Sequence, residues 1–450
     1  MTHVLSGFSF FSGGFMEDNR LTENKEDNGY RSILCTVYGQ GEEEDAAASL
    51  DELESLLNTA GGEAVSRVTQ MRDKPDGKTV LGKGKIEELA ALCESEKANM
   101  VIFDSELTPS QIRDIEDELG GDVQVIDRSM LILDIFALHA TTAEGRLQVE
   151  LAQLNYTSPR LVGKGKSMSR LGGSASGSIG SRGPGETKLE IDRRRTRARI
   201  AALEEKIEKL SAARATQRAA RDRSGLCRVG IVGYTNAGKS TLLNYLTSAD
   251  ILAENKLFAT LDTTTRRYTF REGTEILLTD TVGFINKLPH HLVKAFKSTL
   301  DEAAYSDILL IVSDISDPEC EKKLHVTLDT LDELGAGLKP KLFVFNKVDA
   351  ADPEMLSSLS SFATSGYECC FISASSGKGV DLMTEKLLSL VNKGKRRVTC
   401  LFPLSEGALV NLLYSEADSV ETEYGPEGVT CVATVDDRVY GKIKNYVIEE

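Results

Sequence analysis

Gly233, Tyr234, Thr235, Asn236, Ala237, Gly238, Lys239 and Ser240 follow one another in the spacing Gly-x4-Gly-Lys-Ser. That spacing suits a loop that wraps a polyphosphate. Glycines let the backbone close around phosphate oxygens with no Cβ in the way. Successive N–H groups, and the start of a following helix, then point at negative charge. Lys239 can reach the β- and γ-phosphates, and the Ser240 hydroxyl can ligate Mg²⁺. The flanks agree with this reading: residues 228–232 look like a buried strand and residues 241–246 like the opening of a helix.

Three later sets narrow the ligand. A strand-like run from 277 ends in Asp280, Thr281, Val282 and Gly283. An aspartate there can hold Mg²⁺ through water, and the Gly283 N–H can sense a γ-phosphate. A second apolar run, 342–345, ends in Asn346, Lys347, Val348 and Asp349. The Asp349 carboxylate can accept both N–H donors on the edge of guanine while the Lys347 stem packs along the base. Adenine would leave buried polar groups unpaired, at about 1–3 kcal/mol each. Ser373, Ala374 and Ser375 follow a third short run and suit a backbone contact to the guanine oxygen. The order of these sets predicts a chain that binds GTP and GDP and hydrolyses GTP, with Lys239 and Gly283 at the reacting phosphate.

A first switch belongs between residues 240 and 280, and 257–265 is the candidate. A threonine hydroxyl completes the Mg²⁺ shell in such switches. Thr260, Thr263, Thr264 and Thr265 all qualify, and the residues alone leave the choice open. Phe284 stands directly after Gly283, where many GTPases carry a water-orienting glutamine. A phenyl ring cannot hydrogen-bond a water, so hydrolysis is expected to be slow or to depend on another group or a partner. His290 and His291 lie close by, in a segment that reads equally well as a helix start. Asn236 could hold a monovalent cation such as K⁺ beside the phosphates.

These residues need a scaffold. Residues 224–394 alternate strand and helix, which predicts an α/β P-loop GTPase domain with a mainly parallel, doubly wound sheet. Before it, residues 30–140 read as a smaller α/β domain, with strands near 33–38, 65–68, 100–103 and 123–126 and helices near 42–58 and 110–119. The Gly-Lys-Gly-Lys stretch at 82–85 lacks the full phosphate-loop motif and reads as the start of a helix. Residues 141–223 carry two helical patterns, with Ile200, Leu203, Ile207 and Leu210 forming a narrow apolar seam on the second. Together they suggest an antiparallel hairpin whose tip is a Gly-, Ser- and Lys/Arg-rich loop at 158–187. Residues 395–450 form a small α+β domain, with strands near 398–402, 419–424 and 429–433 and helices near 406–414 and 438–447. Residues 1–29 read as a loose, disordered tail.

The chain of 450 residues has a net charge of −16, which argues against blanket affinity for nucleic acid. Against that background residues 156–199 hold eleven Lys or Arg and three Asp or Glu. A basic, glycine-rich tip on a helical stalk suits phosphates and narrow RNA cavities. No aromatic ladder accompanies it, so stacking on single-stranded bases is not supported. Eight cysteines without CxxC pairs read as reduced thiols of a cytoplasmic protein. No run of eighteen apolar residues suggests a membrane span.

Several stretches resemble the hallmarks of the HflX family, GTPases related to translation factors. They are 132–136 (Ile-Leu-Asp-Ile-Phe), 144–154, 159–163, 182–187 and 192–195 outside the GTPase motifs, and 233–240, 257–262 and 280–284 within them. The resemblance covers nearly all of 30–395. It implies Thr260 as the switch threonine that joins Ser240 on Mg²⁺, with Phe258, Ala259, Leu261 and Asp262 around the nucleotide. Phe284 resembles the apolar residue the family carries at that place. Where the family reads Asp-Pro-Thr, this chain has Asp262-Thr263-Thr264, without the φ-fixing proline. The function implied is association of a monomer with the large ribosomal subunit and its rRNA through the basic stretch 158–199. Ribosome splitting or rescue under stress, or subunit biogenesis, would be its setting. The alternative is a non-ribosomal regulatory switch or protein-interaction module whose basic loop is merely solvated. A tRNA-modifying GTPase would need a catalytic cysteine or cofactor domain, and neither is visible.

Overall fold

The computed structural model describes residues 30–159, 184–222, 226–247, 257–258, 261, 263–287, 302–352, 367–393, 395–417, 419–426 and 428–449. The chain divides into two compact units, Met1–Ile207 and Glu208–Glu450.

The first unit runs β1 (Arg31–Tyr38), α1 (Glu43–Thr59), β2 (Glu63–Met71), α2 (Lys83–Glu96), β3 (Met100–Phe103), α3 (Pro109–Glu118), β4 (Gln124–Asp127), α4 (Arg128–His139) and α5 (Ala143–Thr157). The strands lie in the order β2-β1-β3-β4, and every pairing is parallel. Ile33, Cys35, Val101 and Phe103 form one core with Ile86 and Leu89 of α2 and Ile112 and Ile115 of α3. Their neighbours Leu34 and Ile102, also fully buried, point to the opposite face by the alternation of a strand. Helix starts are written locally. Thr108 caps α3, accepting from the Gln111 N–H at 3.3 Å while the Gln111 side chain takes the Thr108 N–H at 2.9 Å. The Gly-Lys-Gly-Lys stretch is a helix start as expected: Gly82 precedes α2, and its N–H donates to Gln70 Oε1 at 2.8 Å.

Helix α6 (Pro184–Asp222) follows. Leu203 is buried and Ile200, Ile207 and Leu210 are half-buried, while the residues between them are exposed, so the predicted seam is the covered side. Arg199 of this helix pairs with Glu150 of α5 through two hydrogen bonds of 2.7 and 2.8 Å. The tip predicted at 158–187 lies mostly outside the described residues.

The second unit holds two sheets. The larger is built from β5 (Cys227–Gly233), α7 (Lys239–Thr247), β6 (Thr264–Thr269), β7 (Glu275–Asp280), β8 (Ile308–Asp314), α8 (Cys320–Glu333), β9 (Lys341–Asn346), β10 (Cys369–Phe371) and α9 (Val380–Val391). Its strand order is β10-β9-β8-β5-β7-β6. Pairing is parallel throughout except at β6, which runs antiparallel to β7. Strand β6 begins directly after Thr263. It therefore takes up Thr264 and Thr265, and the Thr265 hydroxyl meets that of Thr279 across the strands at 3.0 Å.

The smaller sheet has β11 (Lys395–Phe402), α10 (Gly407–Glu416), β12 (Ser419–Gly425), β13 (Gly428–Asp436), α11 (Asp437–Ile443) and β14 (Val447–Glu449), in the order β12-β13-β11-β14. This is the β-α-β-β-α-β pattern of a ferredoxin-like layer. The last helix stops at Ile443 rather than continuing to 447, because Val447 joins the free edge of β11 opposite Cys400.

Candidate functional site

The carboxyl ends of β5, β7, β8 and β9 converge, as parallel sheets require of a ligand crevice. Strand β5 runs directly into the loop 233–238, and α7 begins at Lys239. Asn236 takes a left-handed conformation (φ +61°), which asparagine tolerates. Gly238 is also left-handed (φ +91°), and a Cβ there would stand 2.3 Å from Asn346 Nδ2. Only glycine lets the loop pass that close.

Lys239 is buried, and its ammonium donates to the carbonyls of Tyr234 at 2.7 Å and Gly233 at 3.2 Å. Burial pulls it down to about 8, against the opposing charge of Asp280. The Ser240 hydroxyl donates to Asp280 Oδ2 at 2.6 Å, and Asp280 is fully buried at the end of β7. A hydroxyl and a carboxylate in contact form the hard-oxygen donor pair that Mg²⁺ prefers. Thr281 ties the next turn down by donating its hydroxyl to the Ile231 carbonyl at 2.8 Å.

Gly283 approaches the loop closely: a Cβ on it would lie 2.8 Å from Thr235 Cα and 2.9 Å from Lys239 Nζ. Phe284 is buried, and its backbone pairs with the phosphate loop. Its N–H donates to Gly233 O at 3.0 Å, and its carbonyl accepts from Thr235 N–H at 2.8 Å. The Asn286 N–H donates to the Tyr234 hydroxyl at 2.6 Å.

The residues expected to read the base share one cross-link. The Asn346 amide donates to Ala237 O at 2.8 Å and accepts from Ala374 N–H at 2.9 Å. One side chain thus joins the phosphate loop to the 373–375 turn. Lys347 (φ +64°) places its ammonium 2.6 Å from Asp314 Oδ2. A hydrogen bond from the Ser373 hydroxyl, then the backbone, holds Asp349 below the usual carboxylate range. Ser373 and Ser375 hydroxyls meet at 3.0 Å, and Val348 N–H donates to Ile372 O at 3.2 Å.

Lys239, Ser240, Asp280 and Gly283 therefore come together at one end of the crevice, and Asn346, Lys347, Asp349 and Ser373–Ser375 at the other. Phe258 and Leu261 are buried side chains. Ala259, Thr260 and Asp262 lie outside the described residues, as do His290 and His291. Of the four candidate threonines, Thr264 and Thr265 belong to β6. Asp314 escaped the sequence reading, although it closes an apolar strand just as Asp280 and Asn346 do. Its Oδ1 accepts from Ser316 N–H and Oγ, at 3.0 and 2.6 Å, which leaves Oδ2 facing Lys347.

Three families match the chain: "GTP-binding GTPase N-terminal" over residues 47–137, "GTP-binding GTPase Middle Region" over 139–221 and "50S ribosome-binding GTPase" over 228–347. The chain is similar to the GTPase HflX of Lacrimispora saccharolytica, 46% identical over 91% of this chain and 95% of that one. It is also similar to the GTPase HflX of Caldanaerobacter subterraneus subsp. tengcongensis, 44% identical over 97% and 96% of the two chains. A crystal structure of a GTP-binding protein from Sulfolobus solfataricus in complex with GDP is 26% identical over 81% of this chain and 99% of that one, at a TM-score of 0.42.

Proposed function

This chain belongs to the HflX family of GTPases, and we propose on that premise that its GTP cycle governs attachment to the large ribosomal subunit. It binds guanine nucleotide and hydrolyses GTP. The observation that carries the ribosomal half is charge. Residues 156–199 concentrate eleven basic against three acidic residues in a chain of net charge −16. The match to a family described as "50S ribosome-binding GTPase" supports the same partner. Arg194 and Arg195 of α6 are exposed and Arg193 half-buried, so two arginines of that basic stretch are open to a partner.

In this reading Ser240 and Thr260 would hold Mg²⁺, which would supply charge neutralisation to the bound polyphosphate. Lys239 moves its ammonium from loop carbonyls to phosphate oxygens. Gly283 offers its N–H to the γ-phosphate, and its approach to Thr235 and Lys239 makes the second switch sensitive to what the loop holds. Asp349 reads the guanine edge, with Asn346, Lys347, Val348 and Ser373–Ser375 shaping the base pocket. Asn236, exposed at the loop tip, is the residue for a monovalent cation. Among the described residues no helix is long and apolar enough to cross a membrane. A monomer working in the cytoplasm fits the reading.

Cosedimentation with purified large subunits tests it. Binding is expected with GTP or a non-hydrolysable analogue, weak with GDP, and lowered by salt. Reversing Arg193, Arg194 and Arg195 to Glu should reduce pelleting and leave free GTPase activity intact. Equal pelleting with every nucleotide would remove the ribosomal proposal and favour a switch with another partner.

A further inference from the structure

Phe284 cannot act as a water-orienting side chain, and its backbone is committed as well. It is 1% exposed, with its N–H on Gly233 and its carbonyl on Thr235. Directly across the contact, the phosphate loop carries a hydroxyl with no structural employment. Thr235 is buried, and its Oγ1 makes no hydrogen bond among the described residues. A hydroxyl removed from water without a partner is unfavourable. A residue that only had to fill this position would do so more stably without one.

The surroundings say what the side chain meets. A Cβ built on Gly283 would lie 2.8 Å from Thr235 Cα, 2.9 Å from Thr235 Cγ2 and 2.9 Å from Lys239 Nζ. The glycine assigned to the γ-phosphate, the phosphate-binding ammonium and the Thr235 side chain that carries this hydroxyl therefore share one corner. Asn236, the next polar residue, is exposed and turned outward at the tip of the loop.

We propose that Thr235 is a catalytic residue whose hydroxyl holds the attacking water against the γ-phosphoryl group, the task a glutamine performs elsewhere. The proposal rests on the assignment of 233–240 as the phosphate loop and is independent of the ribosomal reading. The hydroxyl accepts a hydrogen bond from the water and donates one to a γ-phosphoryl oxygen. The water oxygen bonds to the γ-phosphorus as the bond to the β–γ bridging oxygen breaks. That electron pair leaves with GDP, and the proton lost by the water ends on the released phosphate. Thr235 keeps its own proton throughout.

The test uses the full chain without ribosomes. Single-turnover GTP hydrolysis and GDP affinity are measured for Thr235→Val, which removes the hydroxyl at nearly constant shape, and Thr235→Ser, which keeps it. The valine variant should hydrolyse about 100- to 1000-fold more slowly, the range seen when one transition-state hydrogen bond is lost. Its GDP affinity should stay within about threefold, since the hydroxyl touches nothing that GDP retains. The serine variant should recover most of the rate. Wild-type hydrolysis by the valine variant would overturn the proposal, as would equal slowing by valine and serine or a matching loss of GDP affinity. If the phosphate-loop assignment itself failed, the unaltered chain would not bind GDP, so the two failures are distinct.

Discussion

At the carboxyl ends of β3 and β4, Asp104 and Asp127 meet Arg128. At the carboxyl ends of β7, β8 and β9, Asp280, Asp314 and Asn346 meet glycines, short hydroxyls and lysines. Both are parallel sheets, and in both the polar residues stand where such sheets hold ligands. In the first unit the chain fills the place itself. Arg128 is 2% exposed, donates to Asp104 Oδ1 at 2.6 Å and to Ser49 Oγ at 3.3 Å, and pairs with Glu52. Asp127 accepts from Leu107 N–H, Met130 N–H and the Tyr156 hydroxyl. In the second unit burial disfavours the charge on Lys239 and leaves the Thr235 hydroxyl without a partner among the described residues. One corner has its charges paired when the chain folds, with Arg128 Nε alone of that guanidinium's nitrogens left without a hydrogen bond among the described residues, and the other is left to a ligand in the proposed function. A buried polar cluster is thus structural or functional according to who satisfies it.

The largest expected effect breaks the charge-paired corner. Asp104→Ala leaves a buried guanidinium short of a carboxylate and should destabilise the first unit by about 3–5 kcal/mol. Urea unfolding followed by circular dichroism checks it. Adding Arg128→Met to that variant removes the stranded charge and should recover more than half of the loss. A double variant no better than the single one would mean that the cluster stabilises through geometry rather than charge balance.

The nucleotide corner should respond with the opposite sign. The folded-state value of Lys239, about 8, lies below its ordinary 10.5. Between those values the unfolded chain holds a proton that the folded chain lacks, so stability from this group falls as pH drops and stays low at pH 7. Lys239→Met removes the desolvated charge while keeping the stem. Without nucleotide it should be as stable as the unaltered chain or more so, by up to roughly 3 kcal/mol. GDP affinity, read with a fluorescent analogue, should fall about a hundredfold, the scale of two charge-assisted hydrogen bonds. A variant that loses stability and keeps its affinity would reverse the contrast between the corners.

The nucleotide corner was readable in the sequence because its chemistry is local. Four short motifs each close an apolar run, and each carries residue types suited to one part of a guanine nucleotide. The Arg128 cluster was not, since its partners lie 24, 76 and 79 residues away and no spacing links them. Asp314 was hidden for a related reason: its role needs Lys347 in a left-handed turn, a conformation that composition does not reveal. Thr235 stood inside a recognised motif, yet its significance depends on Phe284, 49 residues on, folding back against it. The resemblance over 132–136 located Asp134 without disclosing its chemistry.

That aspartate supplies the smallest effect and sharpens the comparison within the first unit. Asp134 sits on α4, beyond the reach of Arg128's ion pairs, and burial pushes its carboxyl up to about 7 against a restraining hydrogen bond from Gln153. Below the ordinary carboxylate value near 3.8 both folded and unfolded chains hold the proton. As pH rises from there to about 7 the unfolded chain releases it first, so the first unit loses stability across that window and levels off above it. The unfolding transition identified by Asp104→Ala should therefore move to lower urea between pH 5 and pH 7.5. Asp134→Asn, neutral at every pH, should flatten that slope and gain most at the alkaline end. If Asp134→Asn keeps the full pH dependence, the titrating group lies elsewhere and Asp134 is held charged by a partner, which would make it a second instance of the Arg128 arrangement rather than its counterexample.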